Sequence, residues 1–133
     1  MRIESKTVEI TCRPEVIYEF LQDMNNFKEL LPQDKITEWE ADEKSCSFKV
    51  QGAATIGIER IGGESPNLVN MKSTDRAPFP FTLNVHINAN GDGACKAHQV
   101  FDADINTFLK MMVEKPMKNL FDHIADRLAE IHG

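Results

Sequence analysis

The chain has 133 residues, 41% of them hydrophobic and 27% charged, which suffices for one core and is too little for two, so a single domain over residues 1–133 is expected. Its formal net charge of -6 opposes extended contact with phosphate backbones or anionic lipid, which depend on clustered Lys and Arg, and excludes nucleic acid as a partner. No run approaches the roughly 18 apolar residues of a membrane span, and MRIESKTVEI lacks a signal-peptide core, so no stable membrane insertion and a cytoplasmic location are expected.

In chain order, Arg2 to Thr11 carries β-branched residues in partial alternation and predicts a first strand. Arg13-Pro14-Glu15 marks a helix start, because proline's fixed φ and missing N–H suit the first helical position. Val16, Ile17, Phe20, Leu21 and Met24 follow at helical spacing. Asn25-Asn26 interrupts that run, and Phe27, Leu30 and Leu31 predict a second short helix that stops at Pro32. From Asp34 the period becomes two. Strands are predicted over Lys35 to Ala41, Ser45 to Gln51, Ala54 to Ile61, Leu68 to Asp75, Phe79 to Asn88 and Cys95 to Ala103. The breaks between them have turn chemistry: DEK at 42–44, GA at 52–53, GGESPN at 62–67, RAP at 76–78 and NGDG at 90–93. Turn signals this regular describe an antiparallel meander.

The clearest alternation is PFPFTLNVHINAN, which puts Phe79, Phe81, Leu83, Val85 and Ile87 on a dry face and Thr82, Asn84, His86 and Asn88 on a wet one. Cys46, Phe48 and Val50, and likewise Ile56 and Ile58, share the dry parity. A dry sheet face needs a cover. The segment Asn106 to His132 supplies it, spanning about 40 Å at 1.5 Å per helical residue. Its apolar stripe is Leu109, Met112, Val113, Pro116, Leu120, Ile124, Leu128 and Ile131. Pro116 removes one intrahelical bond and bends the rod, while Met112 and Met117 bring unbranched, polarizable side chains that fill irregular gaps. Two readings are open: the bend and the methionines fit the helix to a closed core, or they shape a wall that repacks around a guest.

VEITCRPEVIYEFLQDMNNFKELLP, a strand leading through Pro14 into a helix and closing on Leu31-Pro32, and the striped closing helix together resemble the START-like superfamily, or helix-grip fold. LLPQDKITEWEAD is similar to the stretch after the second helix in the G-type subunit of carbon monoxide dehydrogenase and in polyketide cyclases. The resemblance covers essentially the whole chain. It implies an α+β architecture: strand, two short helices, a six-strand antiparallel meander, and a long C-terminal helix packed in the curved seven-stranded sheet. It also implies lipid transport, coenzyme Q binding, or cyclase and dehydratase chemistry. No catalytic motif of the family is present to carry over.

A twisted sheet curls, so a rod laid in its hollow stands away in the middle. Empty volume there costs about 24 cal/mol per Å³, so side chains, water or a ligand must fill it. The expected ligand walls are Phe48, Val50, Ile56, Ile58, Met71, Phe81, Leu83, Val85, Met112, Pro116 and Leu120, with Phe27 and Leu30 as a gate. Gln99 is the expected polar group if Cys95, Ala97, Gln99, Phe101 and Ala103 face inward; a one-residue slip brings His98 and Asp102 there instead. Gln99 then either bonds a neighbour such as Ser73 or orients a ligand. Arg60 shares parity with Ile56 and Ile58, and is either a surface residue or an anchor for an anionic head group. Tyr18 and Trp39 either line an entrance or pack with a polar tip at the surface.

Metal and cofactor signals are weak. His86 and His98 face each other in one register but lack a good third ligand, so no metal is expected. Cys12, Cys46 and Cys95 are odd in number and without a C-x-x-C pair, which reads as small buried hydrophobes. QGAATIG and RIGGES match neither a dinucleotide fingerprint nor a P-loop, and no cofactor is expected. Three functions are compatible with these residues. The first is a binding or transport protein, monomeric or weakly dimeric, enclosing a lipid, quinone, isoprenoid or polyketide-like molecule. The second is a cyclase or dehydratase acting in the same cavity, which needs an acid and a base inside it. The third is an interaction module with a filled core, marked by an exposed apolar patch.

Overall fold

A computed structural model describes residues 1–51 and 54–132; the expected turn at 52–53 lies outside the described residues. The elements are β1 (Arg2–Glu4), β2 (Val8–Ile10), α1 (Pro14–Phe20), a 3-10 helix (Met24–Leu30), β3 (Ile36–Ala41), β4 (Ser45–Val50), β5 (Thr55–Glu64), β6 (Leu68–Ser73), β7 (Phe81–Ala89), β8 (Cys95–Ala103) and α2 (Thr107–His132). One antiparallel sheet runs in the order β1-β8-β7-β6-β5-β4-β3, with β2 also on β8. This is the helix-grip arrangement: a curved meander, two short helices and one long closing helix.

The sheet differs from the expected one at its first strand, which is divided into β1 and β2. Ser5 is the reason. Its N–H donates to the Gln99 carbonyl at 2.9 Å, and its hydroxyl accepts from the Gln99 N–H at 2.9 Å. A side-chain oxygen takes the place of a main-chain carbonyl, so both halves stay on β8 while the ladder breaks between them. The expected GGESPN turn also shortens, because β5 continues to Glu64 through a register shift between Arg60 and Gly62. Gly63 permits this: its φ is 142°, and a Cβ there would lie 2.1 Å from the Leu68 carbonyl oxygen.

Pro14 opens α1, and Asp23 caps the 3-10 helix by accepting from the Asn25 N–H at 3.0 Å. Asn106 caps α2 in the same way, accepting from the Leu109 N–H at 2.9 Å. Pro116 is contained within α2, which runs unbroken past it. The helix lies over β1, β2 and β8 and against the 3-10 helix, not along the midline of the sheet. Polar contacts hold it on that flank. Lys118 Nζ donates to the Glu4 carbonyl at 2.9 Å, Asp122 accepts from the Lys6 N–H at 2.8 Å, and Lys6 pairs with Asp126 at 2.6 Å.

The buried face of α2 is Val113, Met117, Leu120, Phe121, Ile124, Ala125 and Leu128. Phe121 sets this rotation. Its ring meets Phe101 at 5.0 Å, and Phe101 meets Phe81 at 5.0 Å, so three aromatic rings form a ladder from the sheet to the helix. Met112 lies about 100° around the helix from Val113 and is carried outward. It is 57% exposed, which corrects its expected place in the wall.

Candidate functional site

The last strand has the inward parity Cys95, Ala97, Gln99, Phe101 and Ala103, all buried. His98 and Asp102 are on the opposite face, and His98 stacks on His86 with ring centroids 4.9 Å apart and planes 11° from parallel. The two histidines are cross-strand partners. Burial first, then the proximity of His98 and of Arg2, hold the His86 imidazole below its ordinary pKa, with Glu4 opposing. Among the described residues, no group of three or more His, Cys, Asp or Glu side chains could hold a metal ion.

The inner face brings together Phe48, Val50, Ile56, Ile58, Met71, Phe81, Leu83 and Val85 with Leu120 of α2 and with Phe27 and Leu30 of the 3-10 helix, all in one buried cluster. Phe101 and Phe121 sit among them and fill the hollow beneath the middle of α2. Space remains at the flank that α2 leaves uncovered. There a cleft of about 320 Å³ is lined by Pro32, Lys35, Val50, Gln51, Lys115, Pro116, Asn119, Leu120 and His123. Its inner wall is apolar, from Val50, Pro116 and Leu120; its rim is polar. A groove of about 650 Å³ along Lys28, Glu29, Leu31 and Arg127 meets it at Pro32 and His123.

Each wall of the cleft has a local cause. Pro32 ends the 3-10 segment and turns the chain into β3, while Val50 closes β4 with its side chain inward. Pro116 faces the gap because α2 is held on the opposite flank by Lys118, Asp122 and Asp126. Of the expected wall residues, Val50, Pro116 and Leu120 line this space, and the remainder lie behind it in the packed core. The rim residues Lys35, Gln51, Asn119 and His123 have no sequence signature of their own. They become neighbours through the rotation of α2.

Gln99 is buried, and its amide Nε2 donates to the Phe121 carbonyl at 2.9 Å. The expected partner Ser73 is engaged elsewhere, accepting from the Phe81 N–H at 3.0 Å. Gln99 Oε1 has no partner, a deficit that costs about 1–3 kcal/mol when nothing else fills it. Arg60 is half-buried with its Nε buried and unpartnered. Cys46 is buried, and its thiol is pushed up to about 12 by burial and then by Asp42; Cys95 is pushed up to about 11 by burial and by nearby Cys12. Thiols so shifted are poor nucleophiles at neutral pH. Trp39 is half-buried with its ring 6.1 Å from Phe48, and Tyr18 packs partly buried against the core.

No helix among the described residues is long and apolar enough to cross a membrane. Comparison with solved structures places the fold beside a norcoclaurine synthase point mutant from Thalictrum flavum, in complex with a transition-state analogue, at TM-score 0.73 and 11% identity, covering 98% of this chain and 92% of that one. A START superfamily protein from Mycobacterium smegmatis matches at TM-score 0.70 and 12% identity over 98% and 96% of the two chains. The protein XoxI from Bacillus cereus matches at 0.72 and 11% over 98% and 94%. At these identities the likeness is one of fold. No curated protein sequence matches the chain. The sequence profile of CoxG, a carbon monoxide dehydrogenase subunit, matches residues 7–131. Matched by that profile over nearly all of its length and built on the START-like fold, the chain belongs to the CoxG family of carbon monoxide dehydrogenase subunits.

Proposed function

We propose that the protein binds and carries a small hydrophobic molecule, such as a lipid, quinone, isoprenoid or polyketide-like compound, entering between α2 and the end of β4. The observation that carries this reading is the cleft of about 320 Å³, whose Val50, Pro116 and Leu120 wall continues directly into the buried face of the sheet. Apolar wall supplies transfer energy of about 25 cal/mol per Å² covered, and a few polar rim groups set orientation. The START-like fold supports the same reading. Native mass spectrometry of protein purified from its own cells, set against the denatured mass, tests it: an apolar passenger is expected, and Val50→Trp, which fills the cleft, is expected to lose it. A wild-type protein that carries no passenger and binds no added lipid would overturn the reading.

A cyclase or dehydratase has less support, since His98 and Asp102 lie on the face away from Gln99. The interaction-module reading has one observation in its favour. Phe108, Met111 and Met112 are 72%, 79% and 57% exposed on consecutive turns of α2, a cluster larger than scattered surface apolar residues. Loss of self-association or partner capture in Met111→Ser/Met112→Ser, with ligand retention unchanged, separates that role from the carrier role.

A further inference from the structure

Among the described residues, two buried side-chain polar atoms lack a hydrogen-bond partner, Arg60 Nε and Gln99 Oε1. They differ in outlet. Arg60 is half-buried and the rest of its guanidinium meets solvent, whereas Gln99 is 1% exposed. The orientation of the Gln99 amide is fixed by the protein. Its Nε2 donates to the Phe121 carbonyl at 2.9 Å, and a flipped amide would set two carbonyl oxygens against each other. The backbone of Gln99 is already taken on both sides by Ser5.

What surrounds the free oxygen offers it nothing. Its cross-strand partner on β7 is Val85, and its same-face neighbours on β8 are Ala97 and Phe101, all buried and without a side-chain donor. An acceptor held this firmly in an apolar layer is completed by a donor brought from outside. Phe121, which holds the amide, follows Leu120, which walls the cleft. The free oxygen therefore lies at the seam of α2 and β8, behind the wall through which a ligand enters.

We infer that Gln99 Oε1 is the polar end of the ligand site and selects an apolar molecule headed by a hydroxyl, an alkylphenol or long-chain alcohol, over an ether or carboxylate of similar size. The inference rests on the ligand-binding reading above and adds the chemistry of the head group. The hydroxyl donates to Oε1 while the apolar body lies along Leu120 toward the cleft. An ether oxygen would meet the carbonyl lone pairs with no proton between them. A carboxylate would in addition surrender its hydration in a layer that holds no counter-charge.

Isothermal titration calorimetry of the full chain with para-heptylphenol, its methyl ether and octanoate tests this. The wild type is expected to bind the phenol about tenfold more tightly than the ether, the value of one buried hydrogen bond, with octanoate weakest. Gln99→Met, close in length and unable to accept that bond, is expected to bind phenol and ether equally, the ether at its wild-type affinity. In the wild type, the Gln99 side-chain amide resonances should shift with the phenol and stay in place with the ether, a readout that survives if the variant does not fold. Equal affinity for phenol and ether in the wild type, or a preference that persists in Gln99→Met, would sink the inference alone. Failure of all three probes to bind would remove the ligand-binding reading and this inference with it.

Discussion

Replacing Pro116 by alanine tests whether the bend in α2 is held under strain. Proline has no N–H, so the Met112 carbonyl lacks its donor four residues on, and the ring crowds the same carbonyl. A helix-interior proline is about 3 kcal/mol less favourable than alanine, which bounds the gain from removing it. Two terms reduce that bound. Freeing the unfolded chain returns about 0.4–1 kcal/mol, and the half-buried ring gives up packing against the cleft worth about 0.8 kcal/mol. Met112 is on the exposed side of the helix, so its carbonyl has water to turn to, and the restored bond contributes only its modest net value. The expected outcome is a stabilisation of about 1–2 kcal/mol. Urea unfolding should show it as a midpoint raised by about half a molar or more, with the slope unchanged. A straightened helix also narrows the cleft, so passenger retention should fall as stability rises. A midpoint that stays or drops would refute the reasoning, because the bend would then be set by the packing of Val113, Met117 and Phe121 rather than by the proline.

Acid should weaken the fold through the His86–His98 stack. The folded state favours the neutral His86 imidazole, so its contribution is complete above about pH 6.5, the unfolded value, and is lost as pH falls through that value toward the lower folded one. Unfolding midpoints measured across this window should decline in the wild type and decline less in His86→Gln; parallel profiles would remove the stack as the cause. Gly63→Ala should destabilise by about 1–3 kcal/mol, since its Cβ would lie 2.1 Å from the Leu68 backbone carbonyl oxygen, which cannot rotate away. Thermal unfolding of the variant within a degree of wild type would show that β5 relaxes there at no cost.

The fold was legible because its periods are strong. PFPFTLNVHINAN alternates without a fault, and Phe79, Phe81, Leu83, Val85 and Ile87 are all buried. Pro14 and Pro32 bracket the two short helices for reasons of backbone geometry alone. Features that depend on contacts distant in sequence were not legible. Ser5 divides the first strand through bonds to Gln99, and nothing in RIESKTVEIT marks it. The helix stripe included Met112 because hydrophobicity alone cannot fix rotation. Phe121 fixes it against Phe101, and Lys118, Asp122 and Asp126 lock it to residues near the N-terminus. The candidate site followed from that rotation, which is why Val50, Pro116 and Leu120 line open space while Phe48 and Leu83 do not.

The position of the cleft has a physical origin in the competition for the space under α2. An expected ligand trough along the midline would require the middle of the helix to stand clear of the sheet. The Phe81–Phe101–Phe121 ladder occupies that volume, with each ring contributing packing that an empty hollow would forfeit. Rooted on β8 and drawn to β1 and β2 by Lys118, Asp122 and Asp126, α2 leaves uncovered the flank nearest β4. The 3-10 helix covers part of that flank, and Pro32 ends it before Val50 is reached. A guest of modest size therefore meets Val50, Pro116 and Leu120 first. To go deeper it must displace Leu120 or lift the helix, and the bond from Gln99 to Phe121 is the one side-chain hydrogen bond that ties the middle of α2 to β8 among the described residues. That places the amide where opening of the seam and recognition of the guest are coupled: a ligand that completes Oε1 offsets part of the cost of parting α2 from β8, and one that cannot must bear that cost through apolar contact alone.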